Sequence, residues 1–566
     1  MCAAITPAPL HPGPAMRWIV ILLAALWLAG CASLPDHVER PVSSALSAPS
    51  QTRLGQLIQS RQTSAGARSD SGFALLSSVE MAYGGRLALI EAAQKTLDLQ
   101  YYAIHADSST ERLLQRLRAA ARRGVRVRIL LDDFNTVGRD VQVLRLAYEP
   151  NIEMRLFNPL PGGRRSSIGR ILGSLDEISR IQQRMHNKLF IADNVVGITG
   201  GRNLGDAYFG QDKGSNFIDM DVLAVGRIVT DMSASFDRFW NNDLAYPVQS
   251  LITQQELDQL SKPATDSSTP ALSEAQAPIV AAAPSVPATP ITSLPSTTTV
   301  LPDGTPTIAL ANTAIDLQSV TLTWAPAMLM VDKPGKIGPD EDEVDAGDTL
   351  IDGLLGLMSK AKSGIDIISP YFVPGRQMMK VFADLKAKGV RVRVLTNSLA
   401  SNDAPAAHAG YARYRQELLS EGIELYEMRS ESSGELNALG STGGSSGSAS
   451  GGSIGNSRAS LHAKAVVVDS QLIVIGSMNL DLRSQIQNTE VALVIRSASM
   501  SKEAIRQIES TLRTDAYRVE QSPGGTLVWR APAGAGFADT RHEPDASLKL
   551  RLLIQLISPF APDEML

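Results

Sequence analysis

One motif, His-x-Lys-x4-Asp, occurs twice in this chain, and it constrains the fold more than any other feature. The first copy is His186-Asn187-Lys188-Leu189-Phe190-Ile191-Ala192-Asp193, followed by Gly200-Gly201-Arg202-Asn203. The second is His462-Ala463-Lys464-Ala465-Val466-Val467-Val468-Asp469, followed by Gly476-Ser477-Met478-Asn479. From the histidine, the lysine is two residues on, the aspartate seven and the asparagine seventeen, in both copies. Seven histidines in 566 residues make a matched set of offsets by chance negligible.

A second repeat frames the first. Gly124-Val125-Arg126-Val127-Arg128 returns as Gly389-Val390-Arg391-Val392-Arg393. Apolar residues at helical spacing precede each: Leu113, Leu114, Leu117, Ala120 and Ala121, then Met378, Val381, Phe382 and Leu385. The glycine falls where each helix should end. Alternation after it (Val125, Val127, Ile129, Leu131; Val390, Val392, Val394) predicts half-buried strands, with Arg122, Arg123, Arg126 and Arg128 on solvated surfaces. Residues 96–101 and 365–368 read as strands upstream of the helices. The expected fold class is α/β: two pseudo-duplicate lobes, each a mixed sheet flanked by helices, joined about a shared active site.

Composition divides the chain further. Arg17 followed by the apolar residues 18–29 reads as a secretory signal, too short for ~30 Å of hydrocarbon. Leu28-Ala29-Gly30-Cys31 has the form of a lipoprotein cleavage site, so residues 1–30 are expected to be removed and Cys31 to carry lipid. The Pro-rich residues 1–15 are unlike a signal's charged start, which suggests initiation at Met16. Expected boundaries are a tether at 31–70, lobe one at 71–250, a Pro/Thr-rich linker at 251–310, lobe two at 311–545 and a C-terminal segment at 546–566. A Gly/Ser run at 432–457 reads as an insertion within lobe two. The only two cysteines, Cys2 and Cys31, precede every expected folded part, so no disulfide framework is available. A net charge of −5 repels polyanions and argues against a nucleic-acid partner.

The motif dictates a chemistry. His186 and Lys188, two apart in an extended segment, leave the same face, as do His462 and Lys464. Asp193 and Asp469 are an odd step further on and are expected to serve as supports near a turn. Asn203 and Asn479 return beside the pairs after the next strand. Two histidines, two lysines and two asparagines suit a phosphodiester: cations and amides stabilise phosphate oxygens, one neutral histidine attacks phosphorus, and the other donates to the departing alkoxide. This chemistry calls for no metal or cofactor. Downstream, Asp219-Met220-Asp221-Val222 parallels Asn488-Thr489-Glu490-Val491, and Asp221 and Glu490 are expected to fix the histidine tautomers. His105 and His408 are expected to be satisfied structural residues, and Tyr371 and Phe372 strand-end packing.

With these residues in view, the chain resembles the phospholipase D superfamily and, within it, the bacterial cardiolipin synthase C group. The resemblance also rests on Gln100-Tyr101-Tyr102, on residues 200–210, on Pro370-Tyr371-Phe372-Val373-Pro374 and on residues 476–484, and it spans most of 75–545. It implies a phosphatidyltransferase that makes cardiolipin from two phospholipids through a phosphatidyl-histidine intermediate, with His186 the nucleophile and His462 the acid. Ser477, Arg483 and Tyr102 are the candidate substrate contacts. Hydrolysis to phosphatidate, or a nuclease using the same site, are the alternatives. The implied setting is the bacterial envelope, facing the periplasm, with phospholipid substrates, a membrane reached through the Cys31 anchor (outer membrane favoured) and a possible helper protein.

Overall fold

The computed structural model describes residues 34–162, 164, 178–212, 215–260, 298–300, 306–308, 313–337, 349–430 and 458–558. The expected signal peptide, Met16, Cys31, most of the Pro/Thr-rich linker and the Gly/Ser run lie outside them. Two nine-stranded mixed sheets carry the fold. Sheet one contains β1 Ser71–Leu76, β2 Thr96–Tyr101, β3 Arg126–Asp132, β4 Ile152–Phe157, β5 Leu189–Ala192, β6 Val196–Gly200, β7 Asp221–Gly226, β8 Ala245–Pro247 and β9 Thr323–Trp324. Sheet two contains β10 Ala327–Val331, β11 Gly364–Ile368, β12 Arg391–Asn397, β13 Glu424–Met428, β14 Ala465–Val468, β15 Leu472–Gly476, β16 Val491–Arg496, β17 Ala516–Gln521 and β18 Leu527–Arg530. The orders are β8-β4-β3-β2-β5-β6-β7-β1-β9 and β10-β16-β15-β14-β11-β12-β13-β17-β18. Strands β1 to β8 correspond one for one to β10 to β17, so the duplication expected from the motifs is present strand by strand. The edge strands β9 and β18 are the additions.

The helices used below are α1 Arg53–Ser64, α2 Val79–Ala92, α3 Ser108–Arg122, α4 Arg227–Trp240, α5 Gly375–Ala387, α6 Pro405–Ser420, α7 Leu482–Ile486, α8 Ala498–Thr514 and α9 Leu548–Ile557. Asp107 caps α3 by accepting from Thr110 N–H, and Leu113, Leu114, Leu117, Ala120 and Ala121 are buried along one face. Gly124 then turns the chain with φ 91°, and Gly389 does so after α5 with φ 72°, a region that favours glycine. The next strands are parallel to those before the helices, which completes the strand-helix-strand unit in each lobe.

A central apolar layer joins the lobes: α4 and α8 lie between the sheets, where Leu130, Phe236 and Trp240 meet Leu395, Ile473 and Leu493 in one continuous core. That layer corrects one expectation. Strand β3 is buried on both faces, and Arg128, expected on a solvated side, is fully buried between Asp98 (2.7 Å) and Asp237 (2.8 Å), because α4 covers the face that alternation assigned to water.

Three boundaries also shift. Residues 34–64 pack on lobe one instead of forming a tether. Thr52 caps α1, Leu54 and Ile58 enter the core, Pro41 O accepts from Arg155, and the N–H groups of Ser43 and Ala45 reach Asn241 and Asp237. Lobe one continues past residue 250, since Leu257 is fully buried in its core. It also reclaims the chain after the linker: Ile315 N–H bonds Gly84 O, Leu317 is buried, and β9 pairs with β1. The divide between lobes therefore falls after Trp324 and not at 310. The C-terminal segment contains α9, which packs on α6.

Candidate active site

Both motifs are anchored from two sides. Arg184–Met185 pairs in parallel with Asn488–Thr489 of the other lobe, and Arg458–Leu461 with Ser215–Ile218. His186 N–H donates to Thr489 O (2.9 Å) and His462 N–H to Ile218 O (2.8 Å), so each motif is hydrogen-bonded across the lobe boundary. From within its own lobe, Asp132 at the end of β3 accepts from Met185 N–H (2.9 Å) and Arg184 (3.2 Å). Asn397 at the end of β12 both donates to Leu461 O and accepts from Leu461 N–H, each at 2.9 Å. Sequence reasoning missed these two. Both lie eight residues beyond the pentapeptide glycine, which is the signal that identifies them.

His186 to Lys188 form an extended link between two strands, not part of either, and the same-face expectation still holds. Lys188 Nζ donates to His186 O (2.9 Å), while the intervening Asn187 faces the other lobe and accepts from Thr489 Oγ1 (2.7 Å). Lys464 Nζ donates to His462 O (2.5 Å) and lies 3.1 Å from His462 Nδ1. The motif aspartates sit in turns, at φ 51° for Asp193 and 53° for Asp469. Asp193 accepts from the N–H groups of Gln94, Lys95 and Thr96. Asp469 accepts from those of Lys362, Ser363 and Gly364. Each pins the start of the strand beside its motif, away from the pocket.

The histidine partners come from the opposite lobe. Glu490 lies with both oxygens 3.0 Å from His186 Nδ1, as the sequence suggests. Asp219, and not Asp221, holds His462 Nδ1, at 2.7 Å. Asp221 instead binds Arg86 (2.9 Å) and Arg202 (3.4 Å). Register is the reason: Gly200 pairs with Asp221, whereas its counterpart Gly476 pairs with Ala492, so the residue equivalent to Glu490 lies two before Asp221.

Ser477 also departs from its expected role. It is fully buried, and its hydroxyl donates to Glu490, which Ser484 Oγ also contacts at 2.9 Å, so it orients the carboxylate and does not line the pocket. Its lobe-one counterpart is Gly201, where a Cβ would fall 2.3 Å from Asp219 Oδ1.

Aromatic side chains wall the site. Tyr102 meets His186 edge-on with centroids 5.1 Å apart, and Lys188 Nζ lies 5.6 Å from its ring centroid. Tyr208 and Phe217, neither assigned a role from sequence, stand 5.3 and 4.9 Å from the His462 ring. Asn203 Nδ2 donates to Tyr208 Oη (2.9 Å). Asn479 is buried, with an Oδ1 that meets no partner among the described residues. Arg483 of α7 donates across the boundary to Gln182 O (3.3 Å), and its charge acts on both His186 and Tyr102. Tyr371 is partly exposed and donates to Asp403 (2.8 Å), whose charge reaches His462 and Lys464. Phe372 packs in the core. His105 pairs with Asp140 at 2.8 Å, and His408 is buried against Arg415.

With this geometry in place, comparison with known proteins is decisive. The family described as "Cardiolipin synthase, PLD-like domain" matches residues 87–240 and 354–512, one match per lobe. The chain belongs to this family of the phospholipase D superfamily. Cardiolipin synthase C of Escherichia coli (strain K12) is 36% identical over 482 residues, covering 84% of this chain and 92% of that protein. A cardiolipin synthase of Clostridium perfringens (strain SM101 / Type A) is 24% identical over 75% of this chain and 67% of its own length. Among solved structures, phosphatidylserine synthase of Haemophilus influenzae Rd KW20 has the same fold, with a TM-score of 0.51 at 13% identity, covering 90% of this chain and 99% of that one.

Electrostatics distinguish the two histidines of this phospholipase D-type enzyme. Burial, then Lys188, Lys464, His462 and Arg483, push His186 well below its ordinary value. His462 is also lowered by burial and Lys464, but Asp219 opposes the shift. Burial brings Lys188 down to about 7 and lifts Glu490 to about 7, each restrained by the other. Burial would raise Asp219, yet His462, Lys464 and Arg202 hold it at about 2. His462 therefore faces a carboxylate ionised across neutral pH, whereas burial raises the carboxylate that faces His186. The neutral imidazole belongs at His186, and its Nδ1 contact with Glu490 keeps the Nε2 lone pair for the pocket.

Proposed function

We propose that this enzyme transfers a phosphatidyl group from one phospholipid to a hydroxyl of phosphatidylglycerol, giving cardiolipin. The observation that carries the reading is the crossed pair of histidine–carboxylate contacts, His186 with Glu490 and His462 with Asp219, beside Lys188 and Lys464. The names of the relatives support the choice of lipid. His186 Nε2 attacks phosphorus, the bond from phosphorus to the headgroup oxygen breaks, and His462 delivers its proton to that oxygen. The acceptor hydroxyl then attacks the phosphatidyl-histidine and gives its proton to His462, while the phosphorus–nitrogen bond breaks and its electron pair returns to Nε2. Lys188, Lys464, Asn203 and Asn479 stabilise the phosphoryl oxygens as charge grows on them. Tyr102 and Arg483 stand where they can contact the lipid phosphates beside His186.

The setting is the bacterial envelope, with the chain held to a membrane through lipid on Cys31 and its body in the periplasm, the outer membrane being favoured. The signal-like residues 18–29, followed by Gly30-Cys31, support this placement. No described helix is long and apolar enough to cross a membrane.

The test is turnover of labelled phospholipids by purified, detergent-solubilised protein with excess chelator, products resolved by mass spectrometry. Cardiolipin should form with the natural sequence and vanish with His186→Ala and with His462→Ala. Phosphatidate as the sole product would replace transfer by hydrolysis, and nucleotide release without lipid turnover would sink both lipid readings.

A further inference from the structure

Helix α9 carries an apolar face that is left exposed among the described residues. Its inner side, Leu550 and Ile554, packs on Leu399, Ala400 and Ala409. Its outer side is another matter: Leu548 and Leu556 are 69% exposed, Leu552 56% and Leu553 44%. Residues 548, 552 and 556 follow the four-residue step that stacks side chains along one stripe, and scattered surface leucines do not align in this way. These are four of the seven large apolar side chains exposed among the described residues.

Charge and position indicate the occupant. Residues 548–557 contain Lys549 and Arg551 and no acidic residue. Lys549 is exposed and lies within the leucine arc, where a long stem can run along apolar surface and hold its ammonium at a phosphate. The helix is seated on the loop that bears Asp403, the residue acting on His462 and Lys464. Beside it, Arg413 donates to Ser558 O (3.3 Å) and also lines an open groove of ≈ 640 Å³ with Arg376, Tyr414, Leu482 and Ile486. Ile486 is 50% exposed and ends α7, the helix that carries Arg483 to the His186 side of the pocket. Basic and apolar groups thus occur both on α9 and in the adjoining groove that reaches α7.

We infer that the leucine face of α9, together with the Arg376–Arg413 groove, docks on an anionic phospholipid surface and opens the site against the bilayer that supplies its substrate. The inference rests on the phospholipid reading of the site. An amphipathic helix with basic residues among its leucines, lying in the plane of the interface, binds through apolar burial plus attraction to anionic headgroups.

The test uses the full chain carrying Cys31→Ser, so that no acyl chain contributes, with flotation on phosphatidylcholine vesicles with and without phosphatidylglycerol. The triple variant L548S/L552S/L556S should bind both vesicle types at least about tenfold more weakly. Lys549→Glu should weaken only binding to vesicles that contain phosphatidylglycerol. Both variants should turn over dispersed short-chain phosphatidylglycerol like the parent and vesicle substrate about tenfold more slowly. Vesicle affinity equal to the parent's in the triple variant overturns the inference. So does loss of self-association in sedimentation with vesicle affinity retained, which assigns the face to a second copy. A parent that floats but converts no lipid in either form contradicts the proposed activity and leaves the docking result standing.

Discussion

Glu490 belongs to the second lobe, yet both its oxygens lie 3.0 Å from Nδ1 of His186 in the first. Asp219 returns the relationship to His462 at 2.7 Å. Neither lobe holds a complete histidine–carboxylate unit, so the site exists only when both are joined. Glu490→Gln preserves shape but removes the charge that fixes the His186 tautomer. It should lower kcat by about 10²- to 10⁴-fold with KM little changed, as measured by cardiolipin formation under saturating lipid. A loss confined to KM would show that Glu490 serves binding and not the histidine.

The assignment of attacker and acid can be separated with a leaving group that needs no proton. On a phosphatidyl ester of p-nitrophenol, His462→Gln should still release one equivalent of nitrophenol in a burst and retain a phosphatidyl adduct on His186, detectable by peptide mass spectrometry. His186→Gln should give neither. An adduct on His462 in the His186→Gln variant would reverse the roles.

Glu490 also makes a prediction about stability. Burial lifts it from 4.5 to about 7 in the folded chain, against Lys188 and the serine donors. Between those values the folded state holds a proton that the unfolded state has released, so stability falls as pH rises from about 4.5 to 7. At ~1.4 kcal/mol per unit the loss is on the order of 3–4 kcal/mol. His186 and His462, both lowered in the folded chain, contribute the opposite slope, so the measure is the difference: the denaturant midpoint of the parent relative to Glu490→Gln should drop across this window. An unchanged slope in the variant would mean that Glu490 does not hold the proton.

Much of this was legible in the sequence. The matched offsets singled out His186, Lys188, Asn203 and their counterparts because the motif repeats with the strands that carry it, and the repeated pentapeptide marked the helix-to-strand turn in each lobe. What escaped was pairing information. A one-residue slip in a strand reverses the face, which a pattern of alternation detects, whereas a two-residue slip preserves it. Asp219 and Asp221 differ by such a slip, and only the pairing of Gly200 with Asp221 decides between them. The arm at 34–64 escaped for another reason. Its Ser and Pro content reads as tether, although Thr52 before Leu54, Leu57 and Ile58 has the cap and spacing of a short amphipathic helix. Arg128 was misplaced because a layer shared by two lobes buries both faces of a strand.

That arm should therefore matter to folding. Leu54 is 2% exposed in the lobe-one core, so Leu54→Ala should destabilise by about 2–5 kcal/mol and lower the thermal midpoint while leaving turnover per folded molecule unchanged. A midpoint equal to the parent's would return the arm to the status of a tether.

Asp219 and Asp221 give the sharpest separation of chemistry from architecture, because two carboxylates only two residues apart should fail in opposite ways. Asp221 is fully buried between Arg86 and Arg202, and Asp221→Asn leaves Arg86 without its counter-ion and Arg202 with Asp219 alone. Breaking such a buried network by removing one partner costs about 3–5 kcal/mol, so the thermal midpoint should fall while the nitrophenol burst per folded molecule persists. On the proposed mechanism, Asp219→Asn removes instead the negative charge that helps His462 hold a proton for the departing headgroup. Turnover of natural phospholipid should fall by about 10²- to 10⁴-fold, and the p-nitrophenol ester should lose far less, since its leaving group needs no acid. The two variants thus differ in which substrate they spare and in which of them melts early. Equal rate losses on both substrates in Asp219→Asn would detach Asp219 from proton donation and leave it a structural carboxylate like its neighbour.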